Sequence, residues 1–115
     1  MNQFKLIVFL FPILFFGSIN AQAQSKDRTT YNLAKQAEAN EEYDKAIDYY
    51  EELYKKSNSD SYYNSLIELY PKANQFKEAE KTIKKRIKSF PQRTEFLVDL
   101  GYIYDCLLYT SPSPR

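Results

Sequence analysis

The stretch Glu42–Leu53, EYDKAIDYYEEL, decides the fold. Tyr43, Ala46, Tyr50 and Leu53 lie three or four residues apart, so they fall on one face of a helix. Thirty-three residues on, the pattern returns as FKEAEKTIKKRI, with Phe76, Ala79, Ile83 and Arg86 in the same places. The segments ahead of each copy repeat as well. Leu33-Ala34 recurs as Leu66-Ile67 and again as Leu100-Gly101, while Ala37 recurs as Tyr70 and then Tyr104. A period of this length marks stacked helical hairpins.

These residues resemble the tetratricopeptide repeat family. Two units read as complete, residues 27–59 and 60–93, and a third first-helix covers 94–105. Tyr63 and Pro91 stand where the family has a large aromatic and a closing proline; Thr30 and Asn58 stand there in the first unit. Leu53 and Arg86 occupy a place where the family usually has a small residue. The resemblance implies an all-α chain of antiparallel helix hairpins stacked as an α-solenoid of about two and a half repeats, preceded by a signal-peptide helix.

Composition excludes several chemistries. The chain has 115 residues, a formal net charge of +1, no His, no Trp, two Gly and one Cys. Without His there is no ordinary acid–base or metal-binding imidazole, and no Gly-rich phosphate loop is present. The adjacent pairs Glu41-Glu42 and Glu51-Glu52 point away from each other on a helix and read as solvated. No catalytic residue, metal ligand or cofactor is therefore expected.

Residues 1–23 read as a secretory signal. Lys5 supplies the positive start, Leu6–Phe16 an apolar run, and Ala21-Gln22-Ala23 small residues at both cleavage positions. That run is shorter than the ~20 residues a membrane-spanning helix needs; an uncleaved anchor is the alternative. The mature chain, residues 24–105, is then expected in a periplasm or outside the cell.

In the first unit, Ser25–Thr30 reads as a polar lead-in to a helix bearing Tyr31, Leu33, Ala34 and Ala37. Residues 40–42 form the turn, and the second helix extends to about Lys56. Leu33→Ala is expected to open a cavity at a cost of about 2–5 kcal/mol, and Ala46→Leu to overpack the crossing by about 1–3 kcal/mol. In the second unit, Pro71 ends the first helix. Lys77, Lys81, Lys84 and Lys88 then form a basic stripe, with Lys85 and Arg86 beside it. This stripe reads as a solvated outer face; the alternative is an anion-binding surface. No aromatics interleave with the lysines to stack bases, and with export no nucleic-acid partner is expected.

The third first-helix spaces Leu97, Leu100, Gly101 and Tyr104 correctly. It can cover the second repeat while its own far side is left bare. The last ten residues, CLLYTSPSPR, resemble the translation of a transposon-end sequencing adapter. Residues 106–115 are accordingly read as non-native, with the gene continuing beyond them.

The family resemblance implies recognition of a partner peptide or helix in the concave groove lined by the first helices. Carried over by position, the groove residues are Tyr31, Lys35 and Glu38, then Asn64 and Glu68, then Val98 and Tyr102. The Lys/Asn arrangement by which some members clamp a C-terminal carboxylate is absent. Three functions stay open: an exported protein-interaction scaffold, the N-terminal sensory region of a longer signalling protein such as a membrane histidine kinase, or binding of cell-wall or surface glycan through exposed Tyr. Contact with a membrane is expected only through the signal peptide or a missing C-terminal region.

Overall fold

A computed structural model describes residues 22–110, with side chains through Leu108. Among the described residues five helices follow one another without a strand: α1 (22–39), α2 (Tyr43–Ser57), α3 (Asp60–Lys72), α4 (Phe76–Ser89) and α5 (Glu95–Thr110). Helix α3 packs against α2, α4 and α5, and α4 packs against α5. The chain is an all-α helical-repeat solenoid.

The two hairpins close in the same way at an interval of 33 residues. Glu42 N–H donates to the Ala37 carbonyl at 2.8 Å, and Gln75 N–H to the Tyr70 carbonyl at 2.9 Å. Between them Glu41 and Asn74 adopt left-handed backbone, at φ 59° and 57°. That geometry is the helix-stop motif in which a left-handed residue turns the chain and orphan carbonyls gain donors. Between hairpins, Asn58 is left-handed at φ 54°, and the Ser59 side chain caps α3 by accepting from Tyr62 N–H. Pro71 lies in the last turn of α3, which ends one residue later.

Two boundaries differ from expectation. Helix α1 already includes residues 25–30, where a lead-in was expected, and begins at residue 22, within the segment read as leader. Gln, Ala, Lys and Arg are good helix formers. The hydroxyls of Thr29 and Thr30 return to the Ser25 and Lys26 carbonyls at 3.0 and 3.1 Å, and Lys56 pairs with Asp27 at 2.9 Å. The proposed leader otherwise lies outside the described residues. At the other end α5 runs past Asp105 to Thr110; residues 111–115 lie outside the description.

Burial follows the position of each helix in the stack. The middle helix, α3, buries two stripes, Leu66 and Leu69 on one side and Tyr63, Ile67 and Tyr70 on the other. Helix α1 buries only the stripe facing its hairpin partner, Thr30, Ala34 and Ala37. Leu33 therefore does not fill the core; it is 40% exposed, because no repeat precedes it among the described residues. Helix α5 shows the converse. Phe96 and Ile103 are buried against the preceding repeat and Leu100 packs beside them, whereas Leu97 and Tyr104, expected to pack, are 57% and 40% exposed.

Gly101 lies on this uncovered stripe, and a Cβ added there would meet nothing within 4 Å. Glycine inside a helix is about 1 kcal/mol less favourable than alanine. Gly101→Ala is therefore expected to stabilise the free chain by up to about that amount, measured as a shift of the urea midpoint; destabilisation would show that the stripe is covered in solution.

The junction between the hairpins is built on Arg86. It does not belong to the basic outer face; it is only 2% exposed. Its guanidinium carbon lies 4.8 Å from the Phe90 ring centroid, 5.2 Å from Tyr63, 5.3 Å from Phe96 and 5.8 Å from Tyr54. It donates to the Asn58 carbonyl at 3.0 Å and pairs with Asp60, which Arg93 also binds at 3.0 Å. Tyr63 and Phe96 meet edge to face, 5.2 Å apart. One arginine thus ties α2, α3, α4 and α5 together.

Candidate functional site

On α1 and α3 the residues assigned to the groove follow the buried stripes by one position; on α5 they follow Leu97 and Gly101, which are exposed. On α1, Tyr31 is 40% exposed and its ring rests 6.4 Å from both Tyr50 and Tyr62. Lys35 is exposed and donates to Glu38 at 3.1 Å. On α3, Asn64 and Glu68 are exposed. On α5, Val98 and Tyr102 are 72% and 52% exposed.

Electrostatic effects extend across this face. The Lys35 ammonium is held above its ordinary pKa first by its hydrogen bond to Glu38 and then by that carboxylate's charge; Glu68 on α3 adds to the effect. The Tyr102 phenol is also raised, chiefly by its hydrogen bond with Cys106, with Glu68 again contributing. Glu68 thus contributes a small effect at both Lys35 and Tyr102; the contacts that join these helices are the Tyr31–Tyr62 ring pair between α1 and α3 and the packing of α3 on α5. The ion pair of Glu68 with Lys72 is loose, at 3.9 Å, and its side chain is 69% exposed.

Glu38 differs from the rest. It is half-buried, and its Oε2 accepts both Lys35 and the Tyr50 hydroxyl, the latter at 3.0 Å. Burial, followed by this hydrogen bond, pushes the Tyr50 phenol far above its usual range. Glu38 therefore positions Tyr50 and Lys35, leaving Tyr31, Lys35, Asn64, Glu68, Val98 and Tyr102 as the open lining. Tyr62, which the sequence did not mark, enters the site by leaning on Tyr31. It directly precedes the buried Tyr63, as Tyr31 directly follows the buried Thr30, so neighbouring helices place their rings side by side.

The arrangement offers aromatic area, an ammonium and a carboxylate without a nucleophile–base pair. Among the described residues no group of three or more His, Cys, Asp or Glu side chains could hold a metal ion. No described helix is long and apolar enough to cross a membrane. The basic stripe lies on α4, where Lys77, Lys81, Lys84, Lys85 and Lys88 are exposed and line an open cleft of about 480 Å³ with Glu80.

A family model for the fourth ARM domain of tetratricopeptide repeat protein 21 matches residues 21–102. No curated protein and no solved structure matches the chain.

Proposed function

The chain belongs to the family of the fourth ARM domain of tetratricopeptide repeat protein 21, a helical-repeat family related to tetratricopeptide repeats, and on that premise we propose that it is a non-enzymatic scaffold that binds a partner peptide or helix along the face shared by α1, α3 and α5. We read the repeats more narrowly as tetratricopeptide repeats. That reading rests on the 33-residue interval between hairpin closures, the fully buried Ala46 and Ala79 at the two helix crossings, and Pro91. We also read the chain as exported, on the strength of the leader.

The observation that supports the binding reading is the packing of the three first helices, α1 meeting α3 through the Tyr31 and Tyr62 rings 6.4 Å apart and α3 packing against α5. Three successive first helices present side chains to one surface, so a single extended ligand can touch all of them. Large aromatics such as Tyr31 and Tyr102 suit the anchor role at interfaces, since they bury much area and lose little conformational entropy. Fold alone does not assign a ligand, so the test is direct. Tyr102→Ala and Lys35→Glu are expected to lose most partner recovery in pull-downs from the native compartment, each with the helical circular dichroism of the unaltered chain. Recovery unchanged in both variants would remove this face from consideration. Fractionation of tagged full chain tests export; retention in the cytoplasm would overturn it.

A further inference from the structure

We propose that the cleft between α2 and α4, floored by Arg86 and flanked by Lys55 and Lys85, is a binding site for a phosphate group. It is formed by the second helices and so is separate from the groove, which the first helices line. Tyr54, Lys55 and Asn58 from the end of α2 face Lys85, Arg86 and Ser89 from the end of α4 across it. The two helices do not pack on one another, and side chains alone cross the gap. The cleft measures about 310 Å³. A water takes roughly 30 Å³, so there is room for a phosphate group with part of the molecule that bears it.

The buried arginine sets the polarity of the cleft. A guanidinium can only donate. Arg86 Nη1 donates to the Asn58 carbonyl at 3.0 Å and to the Tyr54 hydroxyl and Asn58 Oδ1 at 3.3 Å each. These bonds use the acceptors of the cleft and leave its donors: the Tyr54 hydroxyl keeps its own proton, and the Asn58 amide turns Nδ2 away from the arginine. Carbonyls at a helix C-terminus would repel an anion, but those at this end are taken. The Tyr54 carbonyl accepts Asn58 N–H at 2.8 Å, and the Lys85 carbonyl accepts the Ser89 hydroxyl at 3.1 Å.

Charge points the same way. Three cations and no carboxylate line the cleft. Lys55 and Lys85 form no ion pair among the described residues, because the nearby acids are engaged elsewhere: Glu51 with Tyr70, Glu52 with Lys56 and Glu80 with Lys84. Asp60 is shared between Arg86 and Arg93. Arg86 is 2% exposed, and its buried Nε has no acceptor, so the floor of the cleft retains positive charge. A phosphate group carries roughly −1.5 to −2 charge and three strong acceptor oxygens, which suits two unpaired ammoniums and two neutral donors better than a singly charged carboxylate does.

Isothermal titration calorimetry of the full chain with inorganic phosphate and with glycerol 3-phosphate, at ionic strength held constant with sodium chloride, tests the site. Saturable one-to-one binding is expected, and the tighter of the two ligands identifies the free ion or the ester as the occupant. Lys55→Gln and Lys85→Gln are each expected to weaken binding about tenfold, the loss of one charge-assisted hydrogen bond. Tyr54→Phe keeps the ring beside Arg86 and removes one donor, and is expected to weaken binding several-fold. Lys77→Gln, at the other end of α4 and outside the cleft, is expected to change it by less than about twofold, since screening confines exposed charges to short range. Helical circular dichroism of each variant should match that of the unaltered chain. Saturation by neither ligand would overturn the proposal. So would equal losses from Lys77→Gln and Lys85→Gln, which would reduce the effect to diffuse attraction by a basic helix.

Discussion

Arg86→Ala is expected to destabilise the chain by about 3–5 kcal/mol, most of the stability a domain of this size ordinarily has. The magnitude does not come from its ion pair with Asp60. That carboxylate is 54% exposed and keeps Arg93, so it is not orphaned by the change, and exposed pairs are worth at most about 1 kcal/mol. The loss comes from the cage. Truncation empties the space between four rings, comparable to removing a large core side chain. It also takes the donor from the Asn58 carbonyl at the α2–α3 junction. Arg86→Met refills most of the volume without a charge to desolvate, and replacing a buried charge by a well-packed apolar residue is often neutral. It is expected to lie within about 1 kcal/mol of the unaltered chain. Arg86→Lys keeps the charge but loses the planar, stacking fork, and is expected to recover less than Met does. Urea unfolding followed by helical circular dichroism ranks the three. If Arg86→Lys matched the parent while Arg86→Met fell with Arg86→Ala, the charge and not the cage would be the stabilising feature.

Arg86 also shows where the sequence was legible and where it was not. Its column was readable: 33 residues earlier stands Leu53, which is equally buried. Among the lysines of α4, however, a further cation looks like surface. What makes burial tolerable is contributed by Tyr54, Tyr63, Phe90 and Phe96, residues on several elements whose convergence is set only by tertiary packing. A conflict between column and residue type was the available signal. The hairpins themselves were legible because each is closed by local chemistry, a left-handed residue at the turn and an alanine at the crossing. The exposure of Tyr31, Lys35, Asn64 and Glu68 was legible by the same register, since each follows a residue of the buried stripe. That of Glu38 was not, because its fate depends on Tyr50, twelve residues away on the facing helix.

The remaining misreading, Leu33, yields the second large prediction. Periodicity assigns a residue to a column but does not say how many neighbours that column has at each end of the stack. Leu66 is in the same column as Leu33, yet it is 0% exposed where Leu33 is 40%. Leu66→Ala is expected to cost about 2–5 kcal/mol, because the removed atoms leave a cavity between packed helices that relax only partly. Leu33→Ala removes the same atoms from a half-wet site. It leaves no enclosed void, forfeits only part of the transfer energy, and alanine is at least as good a helix former as leucine. It is expected to cost less than about 1 kcal/mol. The two variants share chemistry and repeat position, so their difference isolates the contribution of a neighbouring repeat. Measured in urea, equal losses would mean that Leu33 is covered in solution, and hence that something packs on the outer side of α1. A large gap between them would mean that Leu33 lacks in solution the covering that a neighbouring repeat gives Leu66.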